Sequence, residues 1–185
     1  MSDIDVKGIV ALRGVLEGRR VGLRPFSADD ITPIYLGWLQ DPEVMRFSNQ
    51  RFRTHTKETC QAYFNSFHGS FNHFLSIIDR NTEAMLGTMT VYQSVHHGTA
   101  DIGVMVGERQ IWGQGIGADA FGLVMATLLD SVEIRKVTAG TLAVNTGMIR
   151  IMDKVGMQLE ATRRAQEIVD GVPVDVVYYA RFRHD

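Results

Sequence analysis

The sequence contains one cysteine and no long apolar run, and each scarcity excludes a class of protein. A lone cysteine, Cys60, cannot form an intramolecular disulfide, which excludes a disulfide-built secreted scaffold and fits a reducing compartment. No apolar run approaches the roughly 18 residues that a membrane-spanning helix needs. Residues 1–6 contain two aspartates and no apolar core, unlike a signal peptide. We therefore expect a cytoplasmic protein that does not contact a membrane.

An excess of basic residues is also missing. The chain has 19 Lys and Arg against 21 Asp and Glu, a formal net charge of −2, which argues against a general nucleic-acid binder. Its length of 185 residues and apolar content of 45% fit one globular domain with a real core. The only adjacent histidines, His96 and His97, would point to opposite sides of a strand and have no Cys or Glu at ligand spacing. No metal site is predicted.

The most informative segment that is present is a glycine-rich one. Gly113, Gly115 and Gly117 alternate with larger residues, and the apolar run 118–129 follows directly. Glycine adopts left-handed backbone conformations and lets the chain approach a ligand closely. A helix that begins just after such a loop offers unpaired N–H groups and the positive end of its dipole. This combination predicts an anion site, most often for phosphate; the alternative is a simple tight turn.

Two familiar phosphate-binding patterns fit this segment poorly. A P-loop needs Lys and then Ser or Thr after its last glycine, whereas Ala118 and Asp119 follow here. Residues 115–120 fit the dinucleotide pattern G-x-G-x-x-A by letter. That pattern also needs a carboxylate at the end of the next strand to hold the ribose, and the next predicted strand, 136–144, has none.

A third pattern, Q/R-x-x-G-x-G/A, is matched by Gln110, Gly113 and Gly115. The segment Trp-Gly-Gln-Gly-Ile-Gly-Ala at 112–118 resembles the coenzyme A pyrophosphate loop of the GNAT N-acetyltransferases. An independent match precedes it, since residues 23–26 and 38–44 (Leu-Arg-Pro-Phe and Trp-Leu-Gln-Asp-Pro-Glu-Val) resemble the front of one GNAT branch. That branch includes the ribosomal-protein N-terminal acetyltransferases. The resemblance implies acetyl-CoA as the cofactor and covers about residues 19–183.

Hydrophobic periodicity and turn signals predict an α+β fold. Because strands surround two helices of the second half, we expect a mixed, largely antiparallel central sheet flanked by helices. The resemblance implies that this sheet belongs to a single GNAT-like domain. It should occupy residues 19–185, after a partly mobile N-terminal extension at 1–18. The predicted strands are 20–24, 73–78, 85–94, 100–106, 136–144, 158–169 and 173–182. The predicted helices are one entered from the cap Ser27, then 42–47, 57–67, 118–131 and 146–155.

The resemblance also implies which residues hold the cofactor. The strand before the loop is similar to the family strand whose backbone pairs with the pantetheine arm. Asn145 matches an asparagine that contacts the cofactor, although it is also a good helix N-cap. The implied cofactor-binding residues are Val104, Val106, Gln110, Ile111, Trp112, Gly113, Gln114, Gly115, Ile116, Gly117 and Asn145.

Acetyl transfer requires the amine to lose a proton and the departing thiolate to be stabilised or protonated. Asp101 is the candidate base, at a position resembling a frequent family Glu, and Glu108 is the runner-up; bulk solvent is the alternative to both. Many relatives carry a serine as proton donor where this chain has Met148, which cannot donate. Tyr178 or Tyr179 could replace it as the acid.

The acceptor is expected to contact residues of the first half of the chain and the terminal hairpin. It is a protein N-terminal amine or a small amine such as an amino sugar, because the run 51–56 also resembles relatives associated with sugar modification. The basic cluster Arg51, Arg53 and His55 could meet an acidic or phosphorylated acceptor, although a solvated loop is the commoner role. The alternative outside catalysis is an acyl-CoA sensor. No nucleic-acid partner is expected, and a homodimer is left open. The predicted acceptor-lining residues are Trp38, Phe47, Arg51 and Tyr92.

Overall fold

A computed structural model describes residue 12 and residues 14–184 of the chain. The strands in this part are β1 (Leu16–Glu17), β2 (Val21–Pro25), β3 (His73–Asp79), β4 (Met85–Ser94), β5 (Thr99–Val106), β6 (Lys136–Leu142), β7 (Gln158–Val169) and β8 (Val172–Phe182). The α-helices are α1 (Pro33–Gln40), α2 (Pro42–Met45), α3 (Lys57–Asn65), α4 (Ile116–Asp130) and α5 (Thr146–Lys154). Short 3₁₀ turns occupy 28–30, 49–52, 95–97 and 109–111.

These strands form one sheet in the order β1-β2-β3-β4-β5-β6-β8-β7. Every neighbouring pair is antiparallel except β5 and β6, which are parallel. That parallel pairing runs only from Thr99 opposite Lys136 to Asp101 opposite Thr138, after which the two strands separate. The predicted α+β class with a mixed, largely antiparallel sheet is confirmed, and the separation opens a cleft in its middle.

One face of the sheet is covered by α4 and α5. Phe121, Val124 and Leu128 of α4 are fully buried and belong to the same core as Ile102 of β5 and Val137 of β6. Burying each such side chain stabilises the fold by about 1.5–3 kcal/mol. Since strand side chains alternate between faces, Ile102 fixes which residues of β5 point away from α4.

The opposite face is covered by α1 and α3 through an aromatic core. The rings of Phe26 and Phe74 stack with centroids 4.2 Å apart, and Tyr35 of α1 packs 5.3 Å from the Phe26 ring. Met105 of β5 packs against this second core. By strand alternation Asp101 therefore also points toward the α1 and α3 side.

The first helix begins later than the sequence predicted. Ser27 precedes a single 3₁₀ turn, and α1 starts at Pro33 with Thr32 as its N-cap, whose Oγ1 accepts the N–H of Tyr35 at 3.2 Å. A helix running through from Ser27 is wrong because Pro33 has no N–H and its ring would clash with the preceding turn. At the first helical position the same proline is well accommodated.

Local turn chemistry agrees with the predictions elsewhere. Asp170 and Gly171 both have positive φ, 50° and 79°, as a tight type I′ hairpin between β7 and β8 requires. The sheet begins at β1, before the predicted domain boundary at residue 19. This strand was not predicted because two residues are too few to show a periodic pattern. The predicted mobility of the N-terminal extension falls largely on residues 1–11 and 13, outside the described residues. None of the described helices is long and apolar enough to cross a membrane.

Candidate active site

A cavity of about 1130 Å³ lies where β5 and β6 separate. Its lining includes the glycine loop, α5, the segment after α2, and Asp101 of β5. The cavity brings together predicted residues from six parts of the chain. These are Phe47, Tyr92, Asp101, Val104, Val106, Ile111, Trp112, Gly113, Gly115, Ile116, Gly117, Asn145 and Tyr178.

Three predicted residues of the loop region do not line this cavity. The Glu108 carboxylate accepts the backbone N–H of Gln110 at 3.2 Å and so caps the 3₁₀ turn before the loop. The side-chain amide of Gln114 donates to the Gln110 carbonyl at 3.1 Å. These side chains fasten the loop to itself, and the backbone of its glycines is what faces the cavity.

Two predicted acceptor residues also lie outside the cavity. Trp38 is only 8% exposed, and its ring fills the space beside Gly107, where a Cβ would come within 2.0 Å of it. Arg51 donates to the carbonyl of Ile168 at 3.2 Å and to that of Ser48 at 3.0 Å. Trp38 is therefore a core residue that supports the end of β5, and Arg51 ties the 49–52 turn to β7.

The glycine loop has the backbone geometry that an anion site needs. Gly113 and Gly115 have φ of 77° and 86°, in the left-handed region that other residues rarely adopt. Gly115 is the N-cap of α4 and offers no side chain to satisfy the first-turn N–H groups of this helix. Those N–H groups and the positive end of the helix dipole are available to a phosphate in the cavity.

Two cations of α5, which were not predicted from the sequence, lie beside this loop. Arg150 and Lys154 both line the cavity, and Lys154 Nζ lies 3.7 Å from where a Cβ on Gly115 would be. Their spacing of four residues places both on one helix face, and that spacing was the available sequence signal. A pyrophosphate carries the charge that these cations and the helix terminus attract, so the residues present fit coenzyme A.

Asn145 holds the start of α5. Its Oδ1 accepts the N–H of Met148 at 3.2 Å, and its Nδ2 donates to Thr141 Oγ1 at 3.0 Å. The N-cap role is thus realised, while the residue also lines the cavity. By ending β6 and starting α5 at this point, Asn145 fixes the wall that carries Arg150 and Lys154.

Asp101 lies where the two parallel strands part. The hydroxyl of Thr138 on β6 donates to Asp101 Oδ2 at 2.7 Å. Burial among the cavity walls raises the pKa of the Asp101 carboxyl, and the Thr138 hydrogen bond opposes that rise. Asp101 remains exposed to solvent, so a substrate can reach it. A carboxylate with a raised pKa is a better proton acceptor than an ordinary aspartate.

The two tyrosines of β8 face opposite sides of the sheet. Tyr178 lines the cavity, and its ring covers Gly140, where a Cβ would come within 2.9 Å of a ring carbon. Tyr179 packs against the core beneath α4 and α5, and burial together with the charge of Asp153 raises its pKa. Of the two candidate acids, Tyr178 alone lines the cavity.

A pair of phenols, one of them not predicted from the sequence, also lines the cavity. The hydroxyl oxygens of Tyr63 and Tyr92 are 2.9 Å apart. Burial and the bond to Tyr92 raise the pKa of Tyr63. Tyr63 lies in the helix α3, whose polar residues gave no signal of a site.

Cys60 is 5% exposed and belongs to the aromatic core, although it reaches the cavity wall. Burial raises the pKa of its thiol, against a weaker opposing hydrogen bond from Thr59. Little of it is thiolate at neutral pH, which makes it a poor nucleophile. In residue 12 and residues 14–184, no three His, Cys, Asp or Glu side chains are grouped so as to hold a metal ion.

A helix terminus that can accept a phosphate lies beside two cations and opens onto a split strand pair with a carboxylate. This combination fits a group transferase that uses a coenzyme A thioester. A family model described as the acetyltransferase (GNAT) domain matches residues 20–158. The chain therefore belongs to the GNAT acetyltransferase family, which uses acetyl-CoA as its cosubstrate.

Known relatives agree with this assignment. An uncharacterized N-acetyltransferase, p20 of Bacillus licheniformis, is 26% identical over 171 residues, covering 90% of this chain and 94% of the relative. A ribosomal L7/L12 alpha-N-protein acetyltransferase solved with coenzyme A has a TM-score of 0.77 at 17% identity, covering 91% of this chain and 98% of its own. Spermidine N-acetyltransferase from Vibrio cholerae, solved with CoA and spermine, has a TM-score of 0.78 at 12% identity, covering 89% and 96%. At such identities these structures establish the fold alone.

Proposed function

We propose that this protein moves an acetyl group from acetyl-CoA to a primary amine by direct attack in a ternary complex. The observation that carries the proposal is the position of Asp101, at the vertex of the split strands. It lines the same cavity as the glycine loop, and Tyr92 of the Tyr63–Tyr92 pair stands opposite it in the ladder between β4 and β5. A thioester held at the loop and an amine held at the phenols would meet beside this carboxylate.

The cofactor end supplies binding and orientation. The first-turn N–H groups of α4 would bind the pyrophosphate, with Lys154 and Arg150 adding charge. Beyond Asp101, β5 no longer pairs with β6, so its backbone edge can align an extended pantetheine arm. Holding both reactants in one cavity supplies much of the rate, because it replaces a bimolecular encounter.

The chemical step needs one proton acceptor and one proton donor. Asp101 takes the proton of the amine, directly or through one water, and the nitrogen bonds to the acetyl carbonyl carbon. The carbon–sulfur bond then breaks, and the departing thiolate takes a proton from Tyr178 or from solvent. Each proton transfer of this kind contributes about 10²–10⁴-fold to the rate.

The acceptor is a primary amine of either of two classes. The acceptor end is lined by Phe47, Tyr63 and Tyr92, which can pack against the carbon skeleton of a small amine or a peptide terminus. The fold alone does not choose, since one similar structure is a protein N-terminal acetyltransferase and another acts on spermidine. An amino sugar or nucleotide sugar is the alternative small acceptor.

Release of the free thiol from acetyl-CoA, followed against a panel of amines, tests this function. We expect turnover with at least one amine, and a loss of about 10²–10⁴-fold in Asp101→Asn. Loss in Glu108→Gln without loss in Asp101→Asn would transfer the role of base to Glu108. Tight binding of acetyl-CoA without turnover of any amine would instead support the acyl-CoA sensor.

A further inference from the structure

We infer that the acceptor amine carries an anionic group, a carboxylate or a phosphate, and that Arg53 binds this group at the end of the cavity remote from the glycine loop. The inference rests on the proposed function and narrows its acceptor to a class. Its basis is a guanidinium that lines the cavity and, within residues 14–184, has no hydrogen-bond or ion-pair partner.

The arginines around this end of the cavity have different partners. Arg46 forms an ion pair with Asp170 at 3.3 Å, and Arg51 is bound to backbone carbonyls of the 49–52 turn and β7. Arg53 lines the cavity, yet across residues 14–184 no carboxylate or carbonyl lies within hydrogen-bonding distance of its guanidinium. It is therefore the arginine that can still bind a ligand.

The backbone that carries Arg53 is fixed on both sides. Its own N–H donates to the Gln50 carbonyl at 2.9 Å, and His55 Nε2 donates to the same carbonyl at 2.9 Å. The carbonyl of His55 in turn accepts the side-chain amide of Gln40 at 3.1 Å. The position of the Arg53 backbone is thus set before any ligand arrives, and only its side chain has to order.

The path from Arg53 to the base runs through the two phenols. The Arg53 charge acts on the hydroxyl of Tyr63, and that hydroxyl lies 2.9 Å from the hydroxyl of Tyr92. Tyr92 stands directly opposite Asp101 in the ladder between β4 and β5. One phenol hydrogen lies between the two oxygens, so the other is available to a ligand. Hydrogen-bond donors and a carboxylate therefore line the same cavity.

This arrangement matches an amine that also bears an anion. The amine belongs beside Asp101, which has to receive its proton, and the anion belongs beside the guanidinium. Arginine presents its N–H groups as a planar fork that suits carboxylate and phosphate oxygens alike. An anion there also avoids leaving Arg53 unpaired when the acceptor displaces water from the cavity.

Two further carboxylates line the cavity and define the competing outcome. Glu167 accepts the side-chain amide of Asn49 at 3.1 Å, and Glu43 is exposed on α2. A polyamine would bind to Glu43 and Glu167 and would be repelled by Arg53. Loss of the Arg53 charge should weaken binding of an anionic amine, whereas loss of the Glu43 or Glu167 charge should weaken binding of a polyamine.

Matched acceptors test the inference by binding, independently of turnover. We would compare 2-aminoethyl phosphate with ethanolamine, and alanyl-alanine with its C-terminal amide, by calorimetry on the protein loaded with coenzyme A. The first pair tests a phosphate as the anionic group, and the second pair tests a carboxylate. In the wild type at least one anionic member should bind more tightly than its neutral partner. Arg53→Ala should weaken that member about tenfold to a hundredfold and leave the neutral one unchanged.

Two variants serve as references. Arg53→Lys keeps the charge and loses the fork, so it should restore part of the affinity. Lys57→Ala removes one positive charge from an exposed position of the neighbouring helix α3, outside the cavity, and should change nothing. If Lys57→Ala weakened the anionic acceptor as much as Arg53→Ala does, a general surface charge effect would replace the proposed site.

Several results would overturn the inference. Equal binding of charged and neutral partners, binding of no member of either pair, or tight binding of spermidine that Glu43→Gln abolishes would each do so. The assay of thiol release from acetyl-CoA shows whether only the anion site is wrong or the proposed function is wrong as well. If only neutral amines were acetylated, the acetyltransferase function would be supported and the anion site would be contradicted. If the anionic acceptors bound more tightly in an Arg53-dependent way but none was acetylated, the anion site would be supported and the acetyltransferase function would be contradicted.

Discussion

The Asp119 carboxylate of α4 accepts the backbone N–H of Arg20, with Oδ2 2.6 Å from the nitrogen. The same oxygen lies 3.2 Å from the N–H of Val21, and the Arg20 guanidinium donates to the carbonyl of Gln114 in the glycine loop. The turn between β1 and β2 is thereby joined to both the loop and the helix that follows it. The first hairpin of the chain thus supports the cofactor end of the cavity.

Loss of this connection should weaken cofactor binding more than catalysis. In Asp119→Ala the backbone N–H groups of Arg20 and Val21 lose their acceptor. Arg20, which binds the Gln114 carbonyl of the loop, is then held less firmly. We expect the KM for acetyl-CoA to rise severalfold while kcat at saturation stays close to wild type. Asp119→Asn, which keeps one acceptor oxygen, should recover part of the affinity. Steady-state kinetics with a fixed amine and calorimetry with coenzyme A measure both quantities.

Arg80 provides the matched control for that prediction. It holds the same turn, donating to the Gly18 carbonyl at 2.7 Å and to Glu17 at 2.9 Å, but it does not touch the loop. Arg80→Ala should therefore lower thermal stability without changing cofactor affinity. Equal losses of affinity in the Asp119 and Arg80 variants would show that general loosening of the hairpin, and not the loop, is responsible.

Features with a local physical cause could be predicted from the sequence. The glycine loop required positive φ, and Gly113 and Gly115 have it. The hairpin at Asp170 and Gly171 and the extent of β7 follow from equally short-range rules. These predictions needed no knowledge of which segments pack together.

Features that depend on packing could not be predicted. Trp38 is predicted to line the acceptor site, but Gly107, far along the chain, leaves a space that its ring fills. Arg51 and Arg53 look equivalent in a polar stretch. Arg51 belongs to the 3₁₀ turn at 49–52 and bonds to β7, whereas Arg53 follows the end of this turn and lines the cavity. No periodicity in the sequence reports such a turn.

Gly115→Ala should damage the cofactor site through backbone strain. A Cβ at Gly115 would meet only Lys154 Nζ, at 3.7 Å, so space is available. The φ of 86° is the obstacle, since a left-handed conformation costs an L-residue about 1–2 kcal/mol. Relief of that strain would move the N–H groups that face the phosphates. We expect coenzyme A affinity to fall at least tenfold by calorimetry.

Gly69→Ala separates strain from function. Gly69 has φ of 69°, a Cβ there would meet open space among the described residues, and the position lies away from the cavity. The substitution should cost similar stability and leave coenzyme A affinity unchanged. Wild-type affinity in Gly115→Ala would mean that the phosphates bind elsewhere.

Cys60→Ala should retain activity. Burial keeps the thiol protonated, so an acetyl-enzyme through Cys60 is not expected, and direct attack gives intersecting double-reciprocal plots. The measurement is initial rate over a grid of acetyl-CoA and amine concentrations. Parallel lines, together with an acetylated Cys60 found by mass spectrometry, would establish a two-step mechanism instead.

Asp101→Asn should reduce the rate and abolish the acid limb of its pH profile. In the wild type this limb reports deprotonation of Asp101 and should lie above the ordinary aspartate value of 3.8, because burial raises this pKa. The variant keeps the side-chain shape and can still accept the Thr138 hydroxyl. A rate at saturating amine equal to wild type across the pH range would remove Asp101 from the chemistry.

The same substitution should stabilise the fold at neutral pH. Because the pKa of Asp101 is raised in the folded protein, the folded state binds this proton more tightly than the unfolded chain does. The resulting stability is fully present below about pH 4 and is lost as the pH rises through the folded-state value. Asparagine does not titrate, so the Tm of the variant minus that of the wild type should increase between about pH 4 and pH 7. Thermal melts at intervals of pH measure this difference. A difference that is constant with pH, or that falls toward neutral pH, would show that the cavity does not disfavour the charged carboxylate.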